Sequence, residues 1–266
     1  MNRLGPSAAT RWIIGVLVGL FFLIPLLAML LYTFSDNANG GFTVAHWAGL
    51  FDPAKASTYT PIWTGLGNSL ILAVVTVAIV LFVLTPTMVL VNLRFPKLRP
   101  FFEFVVLLPI SIPAIVLVVG LAPIYLQIGR WFGTGAWTLA FAYGITVLPF
   151  AYRSIQASMD AVDMKTLTEA ARSLGSGWTT ILFRVLAPNL RPGLLAASLI
   201  SIAVVLGEFT IASLLNRQVF QTGLVVVGKI DGYASTMFTL LALLFSFLLL
   251  LVIGRAGRDR SGRTPS

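Results

Sequence analysis

The stretch EAARSLG, from Glu169 to Gly175, is followed after nine residues by VLAP, from Val185 to Pro188. Both stretches lie in the longest polar interval of a chain that is otherwise dominated by apolar runs. We call residues 154–190 the polar segment. Because its polar residues require water while the flanking runs suit lipid, the pattern indicates a membrane protein with a docking surface on one side of the bilayer.

The composition supports a membrane protein. Of the 266 residues, 58% are hydrophobic and only 10% are charged, whereas soluble domains carry about 25% charged residues. A transmembrane helix needs about 20 apolar residues, with about 17 as the lower limit. Six runs predict an all-α membrane protein with six transmembrane helices. These runs are residues 12–33, 69–91, 104–125, 136–152, 192–214 and 237–254.

The first run follows Arg3 and Arg11, as the apolar part of a secretory signal would. However, residues 12–33 exceed the roughly 7–15 residues of a cleavable apolar region, so we interpret them as a retained helix. The predicted organisation is a short N-terminus (1–11), a six-helix domain (12–254) that contains the polar segment, and a basic tail (255–266).

The distribution of positive charge predicts the orientation. With the N-terminus inside, 14 of the 18 Lys and Arg residues lie inside and 4 lie outside. This bias is what the positive-inside rule expects. Both termini and the polar segment are therefore predicted to be cytoplasmic, and the formal net charge of +9 needs no nucleic-acid partner to explain it.

Several kinds of chemistry are excluded or disfavoured by residue content. The chain has no cysteine and one histidine, His46, which excludes disulfides, thiolate chemistry and a histidine-rich metal site. The stretch from Gly223 to Lys229 fits a phosphate-binding loop, but Ile230 stands where a hydroxyl residue is required for magnesium. We therefore expect no catalytic site, no metal site and no cofactor in this chain.

The polar segment is predicted to contain two short helices that meet at a glycine bend. Leu167, Ala170, Ala171, Leu174 and Trp178 lie on one helical stripe. The spacing of Thr166 and Glu169 fits a capping box at the start of the first helix. Gly175 suits the left-handed residue that closes it. A second stripe begins at Trp178 and runs through Val185, and Pro188 is predicted to end that second helix.

Two features of the predicted spans are unusual in a membrane helix. Pro109 and Pro113 remove backbone donors within one span and should kink or open it, either for packing alone or for transport. Glu208 lies in the fifth span, where an acid is costly and faces the interior or a water-filled path. It is either a cavity residue that meets a cationic substrate or a hydrogen-bonded acid that holds helices together.

The polar segment resembles the signature loop of the permease subunits of bacterial ABC importers. That loop reads Glu-Ala-Ala, three residues, Gly, nine residues, Ile-x-Leu-Pro; here it reads Glu169-Ala170-Ala171, Gly175, Val185, Ala187, Pro188. The spacing matches in full, and Val185 and Ala187 depart from the pattern. Leu108-Pro109 with Ile112-Pro113, and Gly207-Glu208-Phe209, are similar to further family features.

The resemblance implies a type I ABC importer permease fold in the bacterial inner membrane. It implies a second permease subunit, two cytoplasmic ATPase subunits that bind ATP and magnesium, and an extracytoplasmic solute-binding protein. Glu169, Ala170, Ala171, Leu174 and Gly175 would form the segment that couples the ATPase to the spans. Glu208, Pro109 and Pro113 would be candidates for the substrate path. Glu169 could also act as a local helix cap, and the two roles are compatible.

The transported solute is predicted from the overall pattern and length, which are similar to the spermidine/putrescine branch and its relatives for iron(III) and phosphonate. Polyamine is the first expectation, although the spans offer only Glu208 and Glu103 as carboxylates. A stand-alone secondary transporter is the alternative from another class. It predicts intramembrane charge pairs or an internal repeat, neither of which the sequence contains, and it leaves the polar segment without a role.

Overall fold

A computed structural model describes residues 7–36 and 40–258 of the chain. These residues are helical apart from connecting turns and one isolated bridge between Ser35 and Phe42. In chain order the α-helices are α1 (Ala8–Phe34), α2 (Ala45–Gly49), α3 (Ala56–Ile79), α4 (Thr85–Arg94), α5 (Arg99–Leu107), α6 (Ala114–Phe132), α7 (Ala140–Asp160), α8 (Met164–Ser173), α9 (Trp178–Thr180), α10 (Ala187–Asn189), α11 (Arg191–Gly207), α12 (Thr210–Leu214), α13 (Phe220–Gly228) and α14 (Gly232–Arg258).

In the described part of the chain, three helical stretches are long and apolar enough to cross a membrane: Ala8–Phe34, Pro53–Arg94 and Ala114–Phe132. A fourth is added if Trp178–Asn189 and Arg191–Gly207, which meet at 81°, are counted as one span. The all-helical membrane class is thus confirmed. Of the other predicted runs, 192–214 is broken at Glu208, 136–152 lies largely in the more polar α7, and 237–254 lies within α14, which has 27 residues.

The observed helix ends differ from the predicted ones. Helix α1 begins four residues before the predicted start at residue 12, and α14 continues four residues beyond the predicted end at 254. The second long helix begins at Pro53 rather than at residue 69, because Asp52 accepts a hydrogen bond from the Ala54 amide (2.9 Å) and caps it. Residues 1–6 and 259–266, which include most of the predicted tail, lie outside the described residues.

The predicted opening at Pro109 and Pro113 is confirmed. The run at 104–125 does not form one helix: α5 ends at Leu107, a 3-10 turn covers Leu108–Ser111, and α6 begins at Ala114. Neither proline carries an amide hydrogen, so two α-helical hydrogen bonds are removed within five residues of this stretch. The Ile112 amide instead donates to the Pro109 carbonyl (3.2 Å), which keeps that acceptor satisfied.

Contacts divide the described residues into two compact units, one within Met1–Thr60 and Leu224–Phe245 and the other within Pro61–Gly223 and Ser246–Ser266. In the first unit, the aromatic ring of Tyr233 stacks on His46 (centroids 3.7 Å apart) and on Tyr32 (4.8 Å). The Tyr59 hydroxyl donates to the Asp231 carboxylate (3.2 Å). These contacts fasten α2 and the start of α14 within that unit.

Helix α7 is the centre of the second unit, and α11 packs along it. Tyr143, Val147 and Ile155 of α7 are fully buried. Because lipid provides no hydrophobic driving force between helices, close backbone approach matters. A Cβ at Gly193 of α11 would lie 2.6 Å from the Ser154 carbonyl oxygen and 2.5 Å from the Ser158 Oγ. The α7–α11 contact therefore requires glycine at 193.

A polar network fixes the C-terminal end of α7. Asp160 accepts from the guanidinium of Arg99 (3.0 Å) and from the Gln156 amide nitrogen (2.9 Å). The side-chain amide of Asn92 in α4 donates to the side-chain oxygen Oε1 of Gln156 (3.2 Å). The network joins α4, α5 and α7 four residues before α8 begins, so α8 starts from an anchored point.

Candidate functional site

Helix α8 contains most of the predicted coupling residues, and it begins with a cap that the sequence interpretation missed. The Asp163 carboxylate accepts from the Thr166 hydroxyl (2.7 Å) and from the Thr166 amide (3.1 Å). These hydrogen bonds lower the pKa of the Asp163 carboxyl below its ordinary value. The predicted capping box of Thr166 and Glu169 is wrong, because the helix starts one turn earlier.

Helix α8 ends as the glycine predicts. Gly175 has a φ of +80°, which is the left-handed conformation that glycine adopts without strain. Its amide donates to the Arg172 carbonyl (2.9 Å), and the Ser176 amide donates to the Ala171 carbonyl (3.0 Å). This pair of hydrogen bonds is the Schellman motif, and it satisfies two carbonyls at the helix end.

The faces of α8 differ from the predicted stripe. Met164, Thr168 and Ala171 are buried, and Met164 and Ala171 belong to the hydrophobic core around α7. Ala170 is exposed, and the Leu174 side chain retains 85% of its accessible surface. Of the predicted stripe, Ala171 therefore packs within this chain, whereas Ala170 and Leu174 do not. An apolar side chain this exposed at the tip of a polar hairpin is available to another protein.

The second half of the polar segment is helical from Trp178 to Asn189. Its central residues form a wider π-helical turn, Ile181–Leu186, which precedes Pro188. Ile181 and Leu186 are buried in the same core as Met164 and Ala171, so the two short helices share one apolar base. The predicted pair of helices meeting at a glycine bend is confirmed.

One cavity of about 450 Å³ lies beside α8. The end of α4 forms one wall, α8 forms another, and Trp178 belongs to the lining. The residues that line it are Leu90, Leu93, Arg94, Lys165, Thr168, Glu169, Arg172 and Trp178. The Lys165 Nζ lies 4.0 Å from the Glu169 Oε1. Both side chains are mostly exposed, so this ion pair is weak. Nothing in the sequence predicts that α4 contributes to this cavity, because Leu90 and Arg94 are about 70 residues or more from α8 along the chain.

Glu208 lies at a break between α11 and α12. Its backbone is extended (φ −83°, ψ 123°), which ends α11. Both carboxylate oxygens lie 3.0 Å from the Ile211 amide and accept its hydrogen bond, so the side chain caps α12. The Tyr143 hydroxyl of α7 donates to the Glu208 carbonyl (3.4 Å). Glu208 is half-buried. Its carboxylate accepts from one donor, the Ile211 amide, and can accept further hydrogen bonds.

The two predicted substrate-path elements both adjoin α7. The 3-10 turn that contains Pro109 packs against α7, and Glu208 is joined to α7 through Tyr143. The polar segment lies at the other end of α11, about 25 Å away for its 17 residues. The coupling residues and the path residues are thus two separate groups connected by α7 and α11.

An all-helical chain with several spans, interrupted helices and a capped polar hairpin has the architecture of a multi-pass membrane transport protein. Residues 87–263 match the family described as binding-protein-dependent transport system inner membrane component. This match covers more than half of the 266 residues, and the chain belongs to that family.

Individual relatives have different named solutes. The chain is 27% identical over 217 residues to the spermidine/putrescine transport system permease protein PotB of Haemophilus influenzae, covering 74% of this chain and 73% of that protein. It is 29% identical over 157 residues to the Fe(3+)-transport system permease protein FbpB 2 of the same organism, covering 59% and 30%. It is 30% identical over 151 residues to the molybdenum transport system permease protein ModB of Escherichia coli, covering 50% and 64%.

Family membership confirms the predicted class. The chain is an inner-membrane permease subunit of a binding-protein-dependent ABC importer, and such subunits work with separate ATPase and binding-protein partners and have no ATPase activity of their own. A stand-alone secondary transporter does not agree with this membership. The phosphate-loop pattern at Gly223 lies largely within a helix, Phe220–Gly228, and has no loop conformation to hold a phosphate.

Proposed function

We propose that this chain forms half of the translocation pathway of a type I ABC importer, with a paralogous permease as the other half. The six proposed spans are α1, the Pro53–Arg94 stretch, α5 with α6, α7, α11 with α12, and α14. Helix α7, with 21 residues, is about 31 Å long, which matches a hydrocarbon thickness of about 30 Å. Both termini and the polar segment then face the cytoplasm.

The observation that carries this proposal is the exposed end of α8. Glu169, Ala170 and Leu174 are exposed on a helix whose opposite side is anchored in the core by Met164 and Ala171. The left-handed Gly175 fixes the direction in which the chain leaves that helix. We assign Glu169, Ala170, Ala171, Leu174 and Gly175 to ATPase coupling, with Ala171 as the inward anchor and the others at or beside the contact.

The broken helices support a substrate path at Pro109, Pro113 and Glu208. Irregular backbone at membrane depth is tolerated only where it is buried in protein or lines water. The turn between α5 and α6 carries exposed side chains at Ile110 and Ile112 within this chain. In the assembled importer that turn must therefore face the second permease or the aqueous path rather than lipid.

The proposed solute is a polyamine such as spermidine or putrescine. The similarity to PotB over 73% of its length supports a polyamine, and Glu208 supplies an acid that a cationic solute could approach. Iron(III), phosphonate or another small solute is the alternative, and the shorter similarities to FbpB 2 and ModB keep iron and oxyanions in consideration.

The experiment has two stages. A tagged copy of the chain is purified from its own membrane in mild detergent, and the native mass of the complex is measured. Two ATPase copies and a second permease support the proposed assembly, whereas a chain that emerges alone or only with itself contradicts it. The complex is then reconstituted with its binding protein, and ATP-driven uptake of labelled putrescine is compared with uptake of iron(III), phosphonate and molybdate.

A further inference from the structure

The cavity beside α8 combines positive charge with an apolar wall. Its lining includes the cationic side chains Arg94, Lys165 and Arg172 and one acid, Glu169. Leu90, Leu93 and Trp178 line the same space. A volume of about 450 Å³ falls within the range of roughly 300–1,000 Å³ that small-molecule sites occupy. The lining suits a ligand with an anionic group and an apolar part.

The guanidinium groups of Arg94 and Arg172 form no ion pair among the described residues. Among the residues that the structure describes, neither Arg94 nor Arg172 has an ion-pair partner within 4.0 Å; the ion pairs there are Arg99 with Asp160 and Lys165 with Glu169. Guanidinium groups bind phosphate through paired, charge-assisted hydrogen bonds. Two unpaired arginines from different helices at one cavity therefore indicate a phosphate-bearing ligand.

The cavity face of α8 and the face proposed to dock the ATPase share Glu169, which lines the cavity, and otherwise differ. At 100° per residue, Lys165 and Arg172 point within about 20° of each other, and Ala170 points about 140–160° away from both. Met164 and Ala171 occupy the third, buried side. A ligand in the cavity and an ATPase on the Ala170 side could thus be bound to α8 simultaneously.

We propose that this cavity binds the phosphodiester headgroup of an anionic phospholipid from the inner leaflet. Arg94 ends the Pro53–Arg94 stretch, a candidate membrane span, so the cavity lies where such a helix leaves the bilayer. Basic pockets between spans on the cytoplasmic side suit lipid headgroups, and Leu90 and Trp178 would contact the start of the acyl chains. The placement at the cytoplasmic surface rests on the proposed function.

The test uses the full importer complex in phosphatidylcholine nanodiscs titrated with phosphatidylglycerol, with bound lipid counted by native mass spectrometry. The variant Arg94→Gln/Arg172→Gln should lose affinity for phosphatidylglycerol by about 30-fold, from the loss of two cations near the headgroup. The matched variant Arg153→Gln/Arg184→Gln removes two exposed cations, one near the end of α7 and one in the polar segment, that do not line the cavity. It should leave the affinity unchanged.

Two further arms distinguish the ligand source and the chemistry. Arg94→Lys/Arg172→Lys keeps the charge but loses the planar fork, so its affinity should be intermediate. The complex in pure phosphatidylcholine discs should bind no inorganic phosphate, even when phosphate is in excess. In mixed discs, excess inorganic phosphate should not displace phosphatidylglycerol from the complex.

Other outcomes overturn the lipid site. Equal losses in the cavity variant and the matched variant would mean general surface attraction, and displacement by inorganic phosphate would mean a free-anion site. Unchanged lipid binding with loss of the ATPase subunits would assign the cavity to an acidic group of the ATPase. Because the readout is bound lipid, failure of ATP-driven uptake in the same preparation would count against the proposed function and not against this site.

Discussion

Replacing Gly175 by valine should loosen the end of α8 without any steric clash. Gly175 has a φ of +80°, and a Cβ built there meets nothing within 4 Å. The cost is therefore conformational: a residue with a Cβ in the left-handed region costs about 1–2 kcal/mol. That corresponds to a roughly 5- to 30-fold increase in the population of hairpins whose Schellman motif is open.

Gly177→Val is the matched control, two residues further along. Gly177 also has open space around its Cβ position, but its backbone is extended, with φ −73° and ψ 164°, which valine adopts readily. The two variants add the same side chain to the same turn, and they differ in the backbone conformation that the side chain must accept.

The assay is amide hydrogen exchange of the purified complex, with attention to the Gly175 and Ser176 amides that donate to Arg172 and Ala171. Gly175→Val should accelerate the exchange of these two amides by roughly 5- to 30-fold, while Gly177→Val should leave it near the wild-type value. ATP-driven uptake should fall only in Gly175→Val. Equal exchange in both variants would refute the assignment of Gly175 as a conformational requirement.

Three further predictions follow from the same contacts. Asp163→Ala should raise amide hydrogen exchange in the first turn of α8, while Asp163→Asn, which keeps an acceptor, should not. Folding lowers the pKa of the Asp163 carboxyl below its ordinary value of 3.8. The cap is therefore complete above pH 3.8 and is lost as the pH falls through the lower, folded pKa. Glu169→Ala should uncouple ATP hydrolysis from uptake while changing helix stability by less than about 0.5 kcal/mol, since its pair with Lys165 is weak; unchanged uptake would leave Glu169 without a coupling role. Gly193→Ala should destabilise the α7–α11 contact by about 1–3 kcal/mol through overpacking, measured as a lower melting temperature in detergent, whereas Gly207→Ala in the same helix meets nothing within 4 Å and should melt as the wild type does.

The sequence predicted those features of the fold that depend on backbone chemistry. Pro109 and Pro113 lie four residues apart and each lack an amide hydrogen, and this pair predicted the break between α5 and α6. A single proline does not have that effect here, since Pro123 and Pro149 lie inside continuous helices. Gly175 was similarly predictable, because few other residues accept its conformation. The start of α8 could not be foreseen in this way. Thr166 and Glu169 fit a capping box locally, but burial of Met164 in the core extends the helix back to Asp163.

The exposure of Ala170 and Leu174 is a feature that the helical stripe alone does not predict. A helical stripe of Leu and Ala is normally assigned to the core, yet Ala170 and Leu174 are exposed while Met164, Thr168 and Ala171 are buried. A pattern of apolar residues cannot distinguish a face that packs within the chain from one that packs on another protein. The cavity was unpredictable for a related reason, since Arg94 reaches α8 only through the tertiary packing of α4.

The arrangement of α7 and α11 suggests how a force on α8 would reach the substrate path. Helix α7 leads directly into α8, and α11 follows directly after the second helix of the polar segment. The two helices are held together near that end by the close contact at Gly193 and meet again where the Tyr143 hydroxyl donates to the Glu208 carbonyl. On the proposed function, movement of the docked α8 therefore displaces both helices as a pair. Because Glu208 lies at a break in the backbone rather than within a continuous helix, that pair can move while α12 turns separately, and the path can open at Glu208 without unfolding either helix.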